Sequence, residues 1–260
     1  MATFAEPALH SDQIERYHAQ GYLHVPGVFD VVTACELANA AQELSERLDL
    51  IDIANLRCRW QHDVASGECL FDCFDPVIDL SPTCRRVAED ERLLAILRSL
   101  YDDEPCLLKD KLIFKRPGAG GYGLHQDYIA WREFPRSFTT VMVAIDPADA
   151  ENGATEVFAG CHGQGYMSAH DGEYHELSPE SLPSASSEIP SLKPGDVLIF
   201  GGFTPHRSGP NRSQRWRRQL YLSYNAESDG GEQREAHYRL FHDWLRERYA
   251  RHGLAETCFR

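Results

Sequence analysis

Apolar side chains in the first third of the chain recur at helical spacing. Ser11 or Asp12 can cap a short helix that ends at Gly21, and longer helices are predicted over residues 31–48 and 87–101. The strand-like segment YLHVPGVF separates the first two helices. This pattern predicts a helix-rich beginning with one early strand.

From Cys106 the pattern changes to short apolar runs bounded by glycine and proline. The runs are LLKDKLIFKRPG, SFTTVMVAIDP, GATEVFAG, PGDVLIFGG and RRQLYLSYN. No helical pattern lies between them, so they predict a sandwich or barrel. Residues 171–191 are rich in serine and proline and predict a long surface loop, and a last helix is predicted over residues 232–250. We expect a single domain, 1–260, with a helix-rich part (1–105), a β core (106–226) and a C-terminal helix (227–260).

The segment Gly118–Gly123, GAGGYG, matches the dinucleotide-binding pattern GxGxxG. In that pattern the last glycines open a helix whose N-terminus receives a pyrophosphate. Here the next residues, LHQDYIAWREFPRSF, contain a proline and no helical pattern. We therefore reject a Rossmann fold and predict a loop that leads into a strand.

Composition limits the possible partners. The 260 residues carry a net charge of −14, which argues against nucleic acid or an anionic membrane as the main partner. No apolar run has the length of a signal peptide or a membrane span. The eight cysteines are scattered and are expected to be free thiols. These features predict a soluble cytoplasmic protein.

His125 and Asp127 occupy alternate positions of the strand that follows the glycine segment. Alternate side chains of a strand point to the same face, so an imidazole and a carboxylate would converge there. About one such His-x-Asp triplet is expected by chance in this composition. A second copy, His10-Ser11-Asp12, does occur and is explained as the start of the first helix. The triplet at His125 therefore needs support from elsewhere in the chain.

That support comes from His206, which follows the apolar run VLIFGG. Two imidazoles and one carboxylate on one side of a metal leave open positions, as non-haem Fe(II) needs for a bidentate co-substrate and dioxygen. Arg217, in the strand-like RWRRQLYLSYN, could bind the far carboxylate of such a co-substrate. The alternative is that Arg217 belongs to a surface cluster with Arg212, Arg215 and Arg218.

Almost the whole chain resembles the phytanoyl-CoA dioxygenase-like branch of the Fe(II)/2-oxoglutarate oxygenases, which also contains ectoine hydroxylases. The similar segments are IERYHAQGYLHVPGVF, LHQDYIAW, ENGATEVFAGCHG and PGDVLIFGGFTPHRSGPNRSQRWRRQLYLSYN. The last segment is the most specific, because its histidine, serine and arginine match the family together. The resemblance implies a double-stranded β-helix, that is, a cupin-like jelly roll flanked by helices.

The resemblance also implies the roles of individual residues. It implies that His125, Asp127 and His206 bind Fe(II), and that Arg217 and Ser208 hold the C5 carboxylate of 2-oxoglutarate. It further implies that O2 is consumed, a C–H bond is hydroxylated, and succinate and CO2 are released. Related halogenases have a small residue in place of the carboxylate, so the presence of Asp127 favours hydroxylation. Thr140 matches a position that contacts 2-oxoglutarate in relatives, with a role as a buried strand threonine as the alternative.

The substrate is predicted less directly. The resemblance places Trp131 and Tyr128 at the substrate pocket, with core packing as the alternative for both. Lys109, Lys111 and Lys115 share one strand face, which favours a small anionic or zwitterionic substrate if that face lines the barrel mouth. A solvated strand edge is the alternative.

Two other classes of function remain open on the sequence. One is a cupin-like metal-dependent isomerase or epimerase, which would not need Arg217 as an anchor for a dicarboxylate. The other is a jelly-roll binding protein without catalysis, which would not need the His-Asp-His triad.

Overall fold

A computed structural model of the chain describes residues 8–127, 134–169, 174–182, 187–253 and 258–259. The helices in these ranges are α1 (Ser11–Gln20), α2 (Val31–Ser45), α3 (Pro82–Ala88), α4 (Glu91–Tyr101) and α5 (Arg234–His252). The strands are β1 (Tyr22–Val25), β2 (Cys58–His62), β3 (Cys69–Phe74), β4 (Pro105–Lys115), β5 (Tyr122–His125), β6 (Thr139–Ala144), β7 (Thr155–Phe158), β8 (Ser187–Glu188), β9 (Val197–Gly201), β10 (His206–Ser208), β11 (Arg217–Ala226) and β12 (Cys258–Phe259).

Local signals explain where the first helices begin and end. Gly21 follows α1 with a φ of 80°, in the left-handed region that favours glycine, and its N–H donates to the Tyr17 carbonyl. The predicted helix over residues 87–101 is wrong in one respect, because α3 ends at Ala88 and α4 begins at Glu91. The Asp90 side chain accepts a hydrogen bond from the Arg92 backbone N–H and so caps a new helix.

The strands form two mainly antiparallel sheets. The larger sheet has the order β1-β9-β6-β11-β4-β3-β2-β12, and the smaller one has the order β5-β10-β7-β8. In the larger sheet β11 pairs with β4 on one side and β6 on the other. In the smaller sheet His206 of β10 is the register partner of His125 of β5. The predicted mainly β architecture with flanking helices is confirmed.

The two faces of the larger sheet bury different sets of side chains. Leu37 of α2 and Leu97 of α4 belong to the same core cluster as Leu112 and Leu222 of the sheet. A second cluster joins the two sheets and contains the side chains Ile113, Met142, Val157, Leu198 and Phe200. The space between the sheets is therefore closed by hydrophobic packing at one end, which leaves the other end for a site.

Several expectations need correction. The N-terminal part also contains the hairpin of β2 and β3. Strand β4 lies inside the sheet between β11 and β3, so its lysines do not occupy a solvated edge. Cys69 is disulfide-bonded, which overturns the expectation that every cysteine is a free thiol.

Among the described residues no helix is both long and apolar enough to cross a membrane.

The glycine segment is a loop between β4 and β5, as the sequence predicts. Within the described residues no helix follows it, because β5 begins at Tyr122. A Cβ atom added to Gly121 would lie 2.0 Å from the Ser208 carbonyl oxygen. The glycine thus allows the loop to pass directly against β10.

Candidate active site

Two histidines face each other on adjacent strands of the smaller sheet. The ring centroids of His125 and His206 are 4.3 Å apart. Nδ1 of His125 lies 2.7 Å from the Gly123 carbonyl oxygen, and Nδ1 of His206 lies 3.0 Å from the Thr204 carbonyl oxygen. A carbonyl oxygen can only accept, so each Nδ1 carries the proton and each Nε2 is left as a free donor atom for a metal.

Asp127 completes the cluster. One ligand atom from each of His125, Asp127 and His206 lies within 4.8 Å of the others. The Asp127 Oδ1 atom is 3.9 Å from His206 Nε2. Thr140 donates to Asp127 Oδ2 at 3.2 Å and also bonds to the Ser223 hydroxyl at 3.1 Å. Thr140 therefore fixes the orientation of the carboxylate.

The charge states of the cluster suit a cation. Burial and the neighbouring imidazole of His206 lower the pKa of His125 to about 3, so this ring is neutral near pH 7. Burial acts to raise the pKa of Asp127, but the two imidazoles and Lys111 outweigh it and hold that pKa below its usual value. Burial acts to lower the pKa of Lys111, but the Asp75 and Asp127 carboxylates outweigh this effect. The pKa of Lys111 is therefore raised above its usual value.

Arg217 lies at the start of β11 and is completely buried. Its Nε, Nη1 and Nη2 atoms have no hydrogen-bond partner within the described residues. The register partner of Arg217 is Lys115, which is also completely buried and donates to the Ser208 hydroxyl at 3.0 Å. A buried guanidinium without a partner costs free energy unless an anion binds it. This arrangement excludes the surface-cluster alternative for Arg217.

The acidic group beside these cations is Asp72, which is 1% exposed. It accepts a hydrogen bond from the Tyr122 hydroxyl. Burial raises the pKa of Asp72, although Tyr122, Lys115 and Arg217 oppose that change. Burial and the neighbouring Arg217 hold the pKa of Lys115 well below its usual range, and its Nζ already donates to the Gly153 and Gly209 carbonyls as well as to Ser208. Arg217 is therefore the group of this cluster that still needs an anion.

The triad opens onto a cavity of about 150 Å³ between the two sheets. Other residues that line this cavity are Lys109, Lys111, Tyr122, Gln126, Phe134, Phe138, Thr140, Tyr174, Phe200, Tyr221 and Ser223. A smaller adjoining cavity extends past His125 and His206 to Ser208. Aromatic rings thus form much of the wall around the three donor atoms, while lysine supplies positive charge.

The structure brings together most of the residues predicted from the sequence. His125, Asp127 and His206 form one cluster, Thr140 bonds to it, and Lys111 and Ser208 line the connected cavities. Arg217 is the register partner of Lys115, which bonds to Ser208, and is not among the residues that line these two cavities. The predicted substrate residues Trp131 and Tyr128 lie outside the described residues.

Three residues near the triad carry no clear signal in the sequence. Lys115 is one of several lysines on its strand, and Asp72 beside it belongs to no motif. Gln126, between His125 and Asp127, is 1% exposed and donates to the Gly165 and Phe203 carbonyls at 2.9 and 2.7 Å. Strand β5 ends at His125, which corrects the prediction that Asp127 lies on the same strand, and the hydrogen bonds of Gln126 hold the segment that follows the strand.

Comparison with known proteins identifies the family. The sequence model of the phytanoyl-CoA dioxygenase (PhyH) family matches residues 17–219. The chain belongs to this family. Methylphosphonate hydroxylase from Gimesia maris is 30% identical to this PhyH-family chain, over 88% of this chain and 85% of the relative. The 2-aminoethylphosphonate dioxygenase of uncultured bacterium HF130_AEPn_1 is 26% identical, over 84% and 82%.

The fold of this PhyH-family chain is shared with solved oxygenases. The crystal structure of EctD from S. alaskensis with 2-oxoglutarate and 5-hydroxyectoine superposes with a TM-score of 0.71. The match covers 88% of this chain and 80% of EctD at 22% sequence identity, so it shows the fold alone. The predicted jelly roll is confirmed.

Proposed function

We propose that this PhyH-family enzyme hydroxylates a C–H bond of a small organic phosphonate. It is an Fe(II)- and 2-oxoglutarate-dependent dioxygenase, and its relatives include a methylphosphonate hydroxylase and a 2-aminoethylphosphonate dioxygenase. The reaction balances when one O2 supplies an oxygen atom to the substrate and another to succinate, with CO2 as the third product. The main support for the proposal is the position of Lys111, whose positive charge lies beside the His-Asp-His cluster and lines the same cavity.

The donor set fits an iron ion. Two imidazole nitrogens and one carboxylate are the ligands of a facial triad, which leaves positions for other ligands. We assign His125, Asp127 and His206 as the protein ligands of Fe(II). The Gly123 and Thr204 carbonyls hold the two imidazoles, and Thr140 holds the carboxylate, so the donor atoms are oriented in advance.

The buried guanidinium of Arg217 fits the far carboxylate of 2-oxoglutarate. Its C5 carboxylate would pair with Arg217, whose guanidinium lacks a partner, and with the Ser208 hydroxyl. Lys115 positions that hydroxyl from behind. Since the carboxylate would enter an apolar surrounding, its pairing with a rigid guanidinium fork is far stronger than in water.

The residues of this chain bind, orient and exclude water. When bound, iron supplies the redox chemistry that couples decarboxylation of 2-oxoglutarate to attack on a C–H bond. Phe138 and Phe200 are buried beside the triad and restrict water in the cavity, which protects the substrate position from side reactions. No protein side chain is required as a nucleophile.

Lys111 supports the choice of an anionic substrate. Within the described residues its ammonium group makes cation–π contacts with Tyr221 and Tyr122, at 5.0 and 5.9 Å from the ring centroids, and no hydrogen bond or ion pair. It therefore has donors available for a phosphonate oxygen. Because Lys111 and the triad line the same cavity, a phosphonate bound at Lys111 would lie beside the proposed iron ligands.

The first test measures binding of the co-substrate. Purified protein mixed anaerobically with Fe(II) and 2-oxoglutarate should develop a weak visible charge-transfer band. Arg217→Gln should weaken 2-oxoglutarate binding at least tenfold, since a charge-assisted bidentate pair is lost. Arg215→Gln is the matched control, because Arg215 pairs with Asp149 and Glu151 at the surface. Equal binding in the two variants would contradict the assignment of Arg217.

The second test identifies the substrate class. Succinate release is measured with methylphosphonate, 2-aminoethylphosphonate and carboxylates of matched size. We expect phosphonate-dependent succinate release together with a hydroxylated product, and Lys111→Met should raise the KM for phosphonate more than the KM for 2-oxoglutarate. Turnover of the carboxylates alone would overturn the phosphonate assignment. A redox-neutral change of the substrate without succinate would favour the isomerase alternative.

A further inference from the structure

A second cavity of about 140 Å³ adjoins the iron-site cavity. The two cavities share the wall residues Lys109, Lys111, Tyr122 and Tyr174. The rest of the second cavity is lined by Arg59, Cys73 and Asp75 of the sheet region and by Phe241, Trp244 and Leu245 of α5. We call this space the α5 compartment. It adjoins the iron-site cavity on the side of α5.

Two charged groups of the α5 compartment, Lys109 and Asp75, are paired with each other, whereas Arg59 is paired only in part, because its Nη2 atom has no hydrogen-bond partner within the described residues. Lys109 Nζ is 3.3 Å from the Asp75 carboxylate and 4.8 Å from the centroid of the Phe241 ring. Arg59 Nη1 donates to two backbone carbonyls at 2.7 and 2.9 Å, and its guanidinium lies over the same ring. Asp75 also accepts a hydrogen bond from Tyr238 at 3.1 Å. The Asp75 carboxylate in this lining would repel a second anionic group placed in the compartment.

The exposed surface of the compartment is mainly apolar. Leu245 and Phe241 are buried between α5 and the sheet, and Trp244 packs against them. Tyr122 and Tyr174 complete the wall toward the triad. An engineered apolar cavity of ~150 Å³ in another protein binds benzene, so a space of this size can take a short alkyl chain or one ring.

We propose that the α5 compartment receives the apolar tail of the substrate. The substrate is then an alkyl- or arylphosphonate larger than methylphosphonate, with its anionic group at Lys111 and its tail against Trp244 and Leu245. This inference rests on the proposed function, since it assumes that Lys111 binds the anionic group. Lys111 lines both cavities. A phosphonate group bound to Lys111 would therefore lie at the boundary, with its tail in the α5 compartment.

Chain length provides the test. The affinities of methyl-, propyl- and pentylphosphonate are measured by titration calorimetry, with the protein held anaerobically with Fe(II) and 2-oxoglutarate. Each methylene that enters the compartment should tighten binding about threefold to fourfold, by the usual effect of burying a CH2 group. The increase should stop when the compartment is full.

Two variants examine the walls. Leu245→Phe narrows the compartment and should reduce the ratio of pentyl- to methylphosphonate affinity at least fivefold, whereas Trp244→Ala widens it and should shift the preference to longer chains. The matched control is Leu240→Phe, because Leu240 lies on the same helix and is 59% exposed. Circular dichroism and melting curves identify a variant that does not fold. If one of the pair fails to fold, the other still tests the opposite change in volume.

The outcomes separate this inference from the proposed function. If methylphosphonate binds and is hydroxylated while longer chains bind no better, the tail compartment is wrong and the phosphonate hydroxylase proposal stands. If 2-oxoglutarate binds but no phosphonate of any length does, both fall. If 3-phosphonopropionate binds more tightly than propylphosphonate, a second anion occupies the compartment, which overturns the apolar tail.

Discussion

His125 and His206 are register partners on two adjacent antiparallel strands, and each ring is held through Nδ1 by a backbone carbonyl two residues earlier in the chain. The same local device is thus used twice, at positions distant in sequence. Because the backbone orients both rings, the metal site depends on the pairing of β5 with β10 as much as on the side chains themselves.

Loss of the carboxylate ligand should remove the metal. We expect Asp127→Asn to lower iron affinity on the order of a hundredfold or more, since an anionic donor is replaced by a neutral one. Iron content after gel filtration measures this, and chelator treatment of the wild type followed by Fe(II) should restore activity. The control is Asp12→Asn in the similar triplet at α1, which should retain full iron content.

Lys115 should affect the co-substrate selectively. In Lys115→Met the hydrogen bond from Nζ to the Ser208 hydroxyl is lost, so the KM for 2-oxoglutarate should rise up to about tenfold, as for the loss of one buried hydrogen bond. The KM for the phosphonate should change much less. Lys193→Met, at an exposed position, is the matched control. An equal rise in both KM values would argue for a general disturbance of the site.

His237 should make stability depend on pH. Burial, together with the Lys109 ammonium, lowers the pKa of His237 to about 3, against an ordinary value of about 6.5. The unfolded chain therefore binds a proton in this range that the folded chain does not. The stability that neutral His237 contributes is complete above about pH 6.5 and is lost as the pH falls toward 3.

The measurement is urea unfolding of wild type and His237→Phe between pH 4 and 7. The unfolding free energy of the wild type falls as the pH is lowered, and in the variant the slope of this fall should be smaller by up to about 1.4 kcal/mol per pH unit. His10→Asn serves as the control at an exposed position and should leave the slope unchanged. Identical slopes in wild type and His237→Phe would mean that this ring is protonated equally in both states.

Asp110 should stabilise the attachment of α5. This fully buried carboxylate accepts from the Val77 and Ile78 backbone N–H groups at 2.6 and 2.8 Å and from Arg234 at 2.7 Å. Asp110→Asn should lower the unfolding free energy by about 3 kcal/mol, because the buried amide would set a donor against Arg234 Nε–H and leave Asp79 as the remaining ion-pair partner of that guanidinium. Asp243→Asn removes an exposed pair on the same helix and should cost less than about 0.5 kcal/mol.

The sequence pattern predicted that His125, Asp127 and His206 come together, and the structure brings them together. The strand argument was wrong in one respect, because β5 ends at His125 and Asp127 lies just beyond it. The assignment of metal and 2-oxoglutarate ligands stays a prediction. The neighbour of Arg217 could not be predicted from such patterns. Lys115 becomes important only when β4 pairs with β11, and that register is a property of the folded sheet.

Other differences also have physical causes. The predicted helix over residues 87–101 is split because the Asp90 side chain caps a new helix. Its hydrogen bond from the Arg92 backbone N–H stabilises a helix start at a place where the apolar spacing predicts a continuous helix. The β2–β3 hairpin is short and joins the sheet through β4, so it gives little periodic signal of its own. The division of the chain at residues 105 and 226, the cytoplasmic location and the roles of Trp131 and Tyr128 stay predictions.

Gly121 links the glycine segment to the catalytic centre. Its missing side chain lets the loop touch the backbone of Ser208, two residues beyond His206. Any larger residue there would push β10 outward and displace both His206 and Ser208, the residues proposed to bind the metal and the co-substrate. What resembles a nucleotide-binding signature is therefore a spacer, and alanine scanning of this loop would reduce catalysis without removing a single functional group.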